Sequence, residues 1–95
     1  MKEASLVRWF RKRLEGLGFF TIKFHGSVFS MAGFPDVLAL RNGKAWFIEA
    51  KVPGNEPTKI QAYMLRTLAL FGCQVSVIHS HEEFEQEYER VGNNL

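Results

Sequence analysis

An Asn-Gly pair between two apolar, strand-forming runs is the feature of this sequence that most restricts its fold. The segment Arg41-Asn42-Gly43-Lys44 separates residues 36–40 from residues 45–51. Asn-Gly readily adopts the positive φ angles of a two-residue type I′ turn and is the strongest short hairpin signal. The pattern predicts an antiparallel hairpin in which the numbers of opposed residues sum to 85.

This register sets two acids directly against each other. Asp36 faces Glu49, and opposed side chains on one face of a sheet have Cβ atoms about 4.5 to 5.5 Å apart. Like charges in such positions are destabilising unless something neutralises them. Lys51 lies on the same face as Glu49, because side chains alternate along a strand. Either a cation lies between the acids at the open end of the hairpin, or the predicted register is wrong.

Length and composition indicate one globular domain, residues 1–95, with a modest core. No apolar run approaches the roughly 18 residues that a membrane span needs, and the first residues lack the apolar stretch of a signal peptide. Cys73 is the single cysteine, and its apolar setting predicts a buried structural thiol. We expect an intracellular protein that does not associate with membranes.

The charges are distributed unevenly along the chain. Residues 1–66 hold eleven of the twelve Lys and Arg residues and five acids, whereas residues 67–95 hold one Arg and five acids. A basic body with an acidic end favours a polyanionic partner. The alternative is a solvated helix face followed by an acidic last helix.

Hydrophobic periodicity predicts the order helix, three strands, helix, strand, helix. The helices are expected over residues 3–17, from the cap Thr58 to about Phe71, and from the cap Ser80 to about Arg90. The first and fourth strands are expected over residues 19–25 and 74–79, and residues 92–95 are expected to fray. The buried stripe of the second helix is predicted to comprise Ile60, Met64, Leu65, Leu68 and Phe71. This order predicts an α/β fold with a mixed sheet packed by helices.

These residues resemble the PD-(D/E)XK nuclease superfamily, and in particular the small standalone VRR-Nuc domains of phage proteins. The matching segments are Gly33-Phe34-Pro35-Asp36, Glu49-Ala50-Lys51 and Thr58-Lys59-Ile60-Gln61, with Lys23-Phe24 and Gly72 as further matches. The resemblance spans nearly the whole chain. It implies a restriction-endonuclease-like αβββαβ core with helices on both faces of a mixed sheet and a further C-terminal helix. It also implies the cytoplasm of a bacterial or phage-infected cell. The loop from Gly26 to Gly33 departs from the family by being unusually apolar.

The resemblance implies a metal-dependent DNA endonuclease. Mg²⁺, or Mn²⁺ in its place, prefers oxygen ligands and needs only one or two protein carboxylates. Asp36 and Glu49 would supply these, with the backbone carbonyl of Ala50 as a third ligand by similarity to the family. Lys51 is expected to position the attacking water and stabilise negative charge, and to act as a general base if its pKa is lowered.

Four further residues complete the expected site. Glu3 continues the apolar stripe of the first helix and would hold a water of the cation or a second cation. Gln61 would orient Lys51, the water or the phosphate. Lys23 and Lys59 are expected to contact DNA phosphates near the catalytic end.

Each expectation has a structural alternative. Asp36 could merely end a strand after Pro35, and Glu49 with Lys51 could be a surface ion pair. Gln61 has the spacing of a capping box with Thr58, and Glu3 could serve the helix dipole. His25, His79 and His81 lack the partners of a four-ligand zinc set, so we expect strand-end and cap histidines.

The sequence is compatible with three functions. The first is a structure-selective endonuclease for branched DNA, such as a Holliday junction or a flap. Its partner would be a second copy of the chain, bound through Val28, Phe29, Met31 and Phe34 if these are exposed. The second is a catalytically silent nucleic-acid-binding or assembly module with the same fold. The third is an enzyme that acts on RNA or on sequence-specific duplex DNA.

Overall fold

The helices and strands follow the order that the sequence predicts. The computed structural model describes residues 2–24 and 31–95. Its elements are α1 (Glu3–Gly16), β1 (Phe20–Lys23), β2 (Val37–Arg41), β3 (Lys44–Ala50), α2 (Lys59–Leu70), β4 (Gln74–Ile78) and α3 (His81–Arg90), followed by a short 3-10 helix (Gly92–Asn94). Within the described ranges, no helix is long and apolar enough to cross a membrane.

The four strands form one mixed sheet in the order β1-β2-β3-β4. The first three strands pair antiparallel, and β3 pairs parallel with β4. Parallel neighbours need a long crossover connection, and α2 lies within the connection between β3 and β4. The α/β class with a mixed sheet is therefore confirmed.

The β2–β3 hairpin has the predicted turn and register. Arg41 pairs with Lys44, and Val37 pairs with Ile48. The two loop residues, Asn42 and Gly43, have φ angles of 53° and 73°. Both angles are positive, as a type I′ turn requires, so the turn fixes which residues oppose each other all the way to the open end.

The sheet is covered on both faces. On β3, Trp46, Ile48 and Ala50 are fully buried and belong to the main core. This core also contains side chains of α1 and α3, namely Leu6, Val7, Phe10, Leu14 and Phe84. Phe47 and Glu49 alternate with the core residues and therefore face the other side of the sheet. The buried residues of α2, Met64 and Leu65, lie outside the main core.

The buried stripe of α2 is narrower than predicted. Met64 and Leu65 are buried, but Ile60 is 51% exposed and Phe71 is 84% exposed. The helix contacts the sheet mainly at β4, so only one side of its apolar surface is covered. Cys73, which follows the helix, is half-buried instead of fully buried.

The prediction that residues 92–95 fray is wrong. Gly92 is buried, and a Cβ atom added to it would lie 2.5 Å from the ring of Trp46. The Arg41 guanidinium donates hydrogen bonds to the carbonyl oxygens of Gly92 and Leu95 at 2.9 and 2.7 Å. These contacts fix the last residues against the hairpin.

Candidate active site

Asp36 lies just before β2, directly after the fully buried Pro35. Its Oδ2 atom accepts a hydrogen bond of 2.7 Å from the backbone N–H of Ala50 on the opposite strand. Its own carbonyl oxygen accepts a hydrogen bond of 2.8 Å from the N–H of Phe24. These bonds hold Asp36 between β1 and β3 at the open end of the hairpin, so it does more than end a strand.

Glu49 is an almost completely buried acid, with 2% of its surface exposed. Its Oε2 atom lies 3.7 Å from the Nζ atom of Lys51. Its Oε1 atom is buried and has no hydrogen-bond partner among the described residues. A buried carboxylate oxygen without a partner carries a large desolvation cost, so a ligand that contacts this atom would be stabilising.

The electrostatic surroundings oppose ionisation of Glu49. Burial, first, and then the nearby carboxyl group of Asp36 raise the pKa of Glu49 to about 8. Glu3 adds a smaller effect in the same direction, and the charge of Lys51 opposes the shift. The arrangement of Asp36 and Glu49 is the one that the hairpin register predicts.

Lys51 follows the end of β3 and is held at its backbone. Its N–H donates a hydrogen bond of 3.0 Å to the carbonyl oxygen of Ile78 on β4. Only 12% of its side chain is exposed. Because Lys51 is largely enclosed and its partner Glu49 is buried, the alternative of an ordinary surface ion pair does not fit this position.

The acid pair fits a hard divalent cation. In the described ranges, no group of three or more His, Cys, Asp or Glu side chains is arranged to hold a metal. Mg²⁺ needs only one or two carboxylates, because it keeps several waters and takes further oxygens from phosphate. Asp36 and the Oε1 atom of Glu49, which has no partner among the described residues, have the chemistry that such a cation needs. Their role as ligands, with the backbone carbonyl of Ala50 as a third, stays a prediction.

Glu3 lies in the first turn of α1 and is half-buried. Its charge raises the pKa of Glu49, which places it near the acidic end of the hairpin. It does not join Asp36 and Glu49 in a three-residue metal group. Glu3 therefore acts on Glu49 through its charge, and its expected role toward a water or a second cation stays a prediction.

Gln61 adopts the capping alternative. Its Oε1 atom accepts a hydrogen bond of 2.8 Å from the N–H of Thr58, and its own N–H donates to Thr58 Oγ1 at 3.3 Å.

The Gly33 backbone lies against the first turn of α2, because a Cβ atom added to Gly33 would be 2.7 Å from the Ile60 carbonyl oxygen. The loop before Asp36 and the start of α2 are therefore in direct contact.

The two lysines predicted to contact phosphate occupy different settings. Lys23 ends β1 and pairs with Val37, the residue after Asp36. Lys59 is the first residue of α2 and is exposed. Both lie close in sequence or in the sheet to the predicted catalytic residues, and their contacts with DNA stay a prediction.

The apolar loop before Asp36 is described only in part. Val28 and Phe29, two of the predicted dimer contacts, lie outside the described residues, as does His25. Met31 is 65% exposed. Phe34 is half-buried, because its ring packs against Phe24 and Phe47 with centroids 4.8 and 5.5 Å apart. Phe34 is therefore mainly a core residue of the face that carries Glu49.

Two residues with extensive contacts were not singled out by the sequence. Arg41 donates hydrogen bonds to three backbone carbonyls and to Tyr88, and its guanidinium lies 4.1 Å from the centroid of the Phe19 ring. His79 contacts Glu83 on α3 and Asn55 in the β3–α2 connection. His79 does follow a strand end, as expected, and Glu83 lies only four residues after it, but Asn55 is 24 positions away and no local pattern indicates that contact.

Comparison with known proteins gives consistent matches over most of the chain. The sequence profile of the family described as "Archaeal holliday junction resolvase (hjc)" matches residues 2–76. The protein "Putative nuclease p44" of Acyrthosiphon pisum secondary endosymbiont phage 1 is 32% identical over 83 residues, which cover 86% of this chain and 87% of that protein. A solved structure described as "VRR_NUC domain" matches with a TM-score of 0.82 and 26% identity, covering 94% of this chain and 96% of the other.

The matched region contains the hairpin, the acid pair, Lys51 and Gln61. Nucleases of the PD-(D/E)XK superfamily generally use divalent metal ions. The chain belongs to the archaeal Holliday junction resolvase family and is a DNA nuclease of the PD-(D/E)XK superfamily with a VRR-Nuc fold.

Proposed function

We propose that this chain is an endonuclease that hydrolyses phosphodiester bonds in branched DNA with Mg²⁺ or Mn²⁺. The observation that carries the proposal is the buried Oε1 atom of Glu49, which has no described partner and lies beside a second acid. A divalent cation held by Asp36, Glu49 and the carbonyl of Ala50 would satisfy that atom. Selectivity for branched DNA is supported by the family to which the chain belongs.

The bound cation would neutralise phosphate charge, lower the pKa of a water and stabilise the leaving oxygen. Asp36 and Glu49 would hold this cation at the open end of the hairpin. Lys51 would hold the attacking water and stabilise charge on the phosphate, because its ammonium group lies beside Glu49 in a largely enclosed position. Gln61 would position the phosphate with its amide nitrogen, while its amide oxygen caps α2.

The remaining predicted residues would act around this centre. Glu3 would hold a water or a second cation near the acid pair, in keeping with its effect on Glu49. Lys23 and Lys59 would bind phosphates on either side of the cleavage point. We propose that residues 1–95 act as one nuclease domain inside a bacterial or phage-infected cell, because the similar p44 protein comes from a phage.

The proposed oligomer is a two-fold dimer formed through α2. Ile60, Tyr63 and Leu70 are 51, 59 and 85% exposed, and Phe71 at the end of the helix is 84% exposed. On an α-helix these positions fall within an arc of about 100°. Contiguous exposed apolar surface marks interaction sites, and a two-fold pair would present two active sites to one branched substrate.

Light scattering of matched variants tests the dimer. Leu70→Glu adds a charge within the exposed stripe, whereas Ala69→Glu adds the same charge at an exposed position on the other side of the helix. We expect Leu70→Glu to be monomeric while the wild type and Ala69→Glu are dimeric. A monomeric wild type at working concentration would contradict the proposed dimer.

Cleavage of labelled DNA tests the nuclease proposal. Linear, flapped and four-way DNA of the same sequence are incubated with wild type, Asp36→Asn and Lys51→Ala. The control is Lys44→Ala, which removes a lysine beside the hairpin turn, at the opposite end of the hairpin from the acid pair. We expect the wild type and Lys44→Ala to cut branched DNA with Mg²⁺ or Mn²⁺ and not with EDTA. Cutting that survives Asp36→Asn would overturn the site. Binding without cutting in either metal would indicate a silent module, and equal cutting of linear DNA would remove the branched selectivity.

A further inference from the structure

The loop over residues 52–57 connects Lys51 to the cap of α2. It carries Pro53, Gly54 and Asn55, all of which are exposed. One local hydrogen bond, from the N–H of Asn55 to the carbonyl oxygen of Val52 at 3.1 Å, shapes its turn. Lys51 immediately precedes the loop and Gln61 follows it closely, so each end of the loop lies at a predicted site residue.

His79 joins this loop to the sheet and to α3. Its Nε2 atom lies 2.8 Å from the carbonyl oxygen of Asn55, and its Nδ1 atom lies 2.7 Å from Glu83 Oε1. The same Glu83 oxygen accepts a hydrogen bond of 3.1 Å from the His79 backbone N–H. The preceding residue, Ile78, accepts the backbone hydrogen bond of Lys51. The end of β4 therefore contacts the connection twice, at Lys51 through the Ile78 carbonyl and at Asn55 through the His79 ring.

The partners of His79 require a particular protonation state. A backbone carbonyl only accepts hydrogen bonds, and so does an ionised carboxylate. Both ring nitrogens therefore have to carry protons if both contacts are hydrogen bonds, and this makes the ring an imidazolium. A neutral imidazole that keeps its proton on Nδ1 for Glu83 would turn a lone pair toward the Asn55 carbonyl oxygen.

The charges around His79 favour this state. Glu83 faces it from α3, and Glu56 of the connecting loop lies 3.5 Å from its Nε2 atom. The hydrogen bond with Glu83, followed by the contact with the Asn55 carbonyl and the charges of both acids, raises the pKa of His79 against an opposing effect of burial. The imidazolium is therefore retained to a higher pH than in an ordinary histidine.

We propose that His79 is a positioning residue for the nuclease reaction, which in its protonated form fixes the 52–57 loop through the Asn55 carbonyl and thereby sets the placement of Lys51. The inference rests on the proposed function of Lys51. Loss of the proton frees the loop and reduces turnover without removing any group that contacts DNA. The clamp is complete below the ordinary histidine pKa of about 6.5. It is lost as the pH rises through the raised pKa of His79.

Two substitutions separate the charge of His79 from its hydrogen bond. His79→Gln places an uncharged amide donor near the position of Nε2, so it preserves the bond to Asn55 at every pH. His79→Asn places its amide near Nδ1 and loses the bond to Asn55 at every pH. His81→Asn is the matched control. It makes the same replacement at a second histidine, whose ring stacks on Trp9 at a centroid distance of 3.9 Å.

The first readout is kcat and KM for four-way DNA with Mg²⁺ as the pH is raised from 6 upward. We expect wild type to match His79→Gln at the lower end and to approach His79→Asn at the upper end. The kcat of His79→Asn should be about tenfold lower than that of His79→Gln. The KM for DNA should stay within about twofold, since no DNA-binding group is removed. If the ratio of the wild-type kcat to the kcat of His79→Gln does not change with pH, the proposal is overturned.

The second readout does not depend on cleavage. Amide hydrogen exchange of residues 52–57 is measured for each variant at the same series of pH values, with His79→Gln as the reference. We expect faster exchange in His79→Asn throughout, and in wild type only after His79 loses its proton. Equal exchange in His79→Asn and His79→Gln would overturn the clamp. If wild type cuts no DNA, the proposed function fails, and this exchange measurement still decides whether the clamp exists.

Discussion

Asp36 accepts a hydrogen bond of 2.7 Å from the backbone N–H of Ala50, and this bond closes the open end of the β2–β3 hairpin. It extends the pairing that the Asn42-Gly43 turn begins at the other end. A slip of one residue would send Asp36 and Glu49 to opposite faces of the sheet. The bond therefore helps to keep the two acids together in spite of their repulsion.

Replacing Asp36 by Asn separates catalysis from stability. The amide oxygen of Asn can still accept the Ala50 hydrogen bond, and removing the charge relieves one cause of the raised Glu49 pKa. We expect DNA cleavage to fall about a hundredfold or more, because a cation ligand is lost. In EDTA at pH 8, thermal unfolding should occur at the same or a higher temperature than in wild type. A clear loss of stability would show that the Asp36 charge supports the fold.

Replacing Lys51 by Met tests the role of its charge. Met is similar in length and fits the largely enclosed position of the side chain. We expect kcat to fall about a hundredfold while KM for DNA changes much less, since Lys51 acts on the reacting groups. Steady-state cleavage of four-way DNA measures both values, with Lys44→Met as the control. A large rise in KM at unchanged kcat would instead assign Lys51 to DNA binding.

Cation binding should release protons near neutral pH. In the metal-free fold, the pKa of Glu49 is raised to about 8. At pH values between the ordinary carboxyl pKa and about 8, the folded protein therefore binds more protons at Glu49 than the unfolded chain does. The contribution of Glu49 to stability is therefore complete at acidic pH and is lost as the pH rises toward about 8. A divalent cation that takes the carboxylate displaces the proton.

Calorimetric titration of Mg²⁺ or Mn²⁺ in buffers with different ionisation enthalpies measures this release. We expect protons to be released at pH 7 and fewer at pH 9. The stabilisation by a fixed cation concentration should be larger at pH 8 than at pH 6. An apparent binding enthalpy that is the same in every buffer at pH 7 would contradict the assignment of Glu49 as a ligand.

Arg41 should be a major determinant of stability outside the site. Its guanidinium bonds to the carbonyl oxygens of Leu17, Gly92 and Leu95, and one ammonium group cannot reproduce this planar set of donors. We expect Arg41→Lys to lower the free energy of unfolding by about 2 to 4 kcal/mol. Denaturant unfolding gives this value, and cleavage below the unfolding transition should be retained. A change below about 0.5 kcal/mol would show that these bonds add little.

The sequence predicted those parts of the fold that follow from local patterns. The Asn42-Gly43 turn fixed the register, and with it the opposition of Asp36 and Glu49, because a two-residue loop leaves no freedom in pairing. The caps Thr58 and Ser80 marked the starts of α2 and α3, since their side chains accept the orphan N–H groups of Gln61 and Glu83.

The predictions that were wrong depend on contacts between distant parts of the chain. The last residues, 92–95, were expected to fray. Arg41 holds them from 51 and 54 positions away in sequence. The exposure of Ile60 and Phe71 likewise follows from where α2 rests on the sheet, which helical periodicity does not specify.

The central claim is that Asp36 and Glu49 share one divalent cation. Anomalous X-ray scattering at the manganese edge, from crystals of wild type and Glu49→Gln grown with Mn²⁺, tests it most directly. The account predicts a peak in contact with both carboxylates in wild type, and a lost or much weaker peak in Glu49→Gln. A peak elsewhere, or no peak at a Mn²⁺ concentration that supports cleavage, would contradict it.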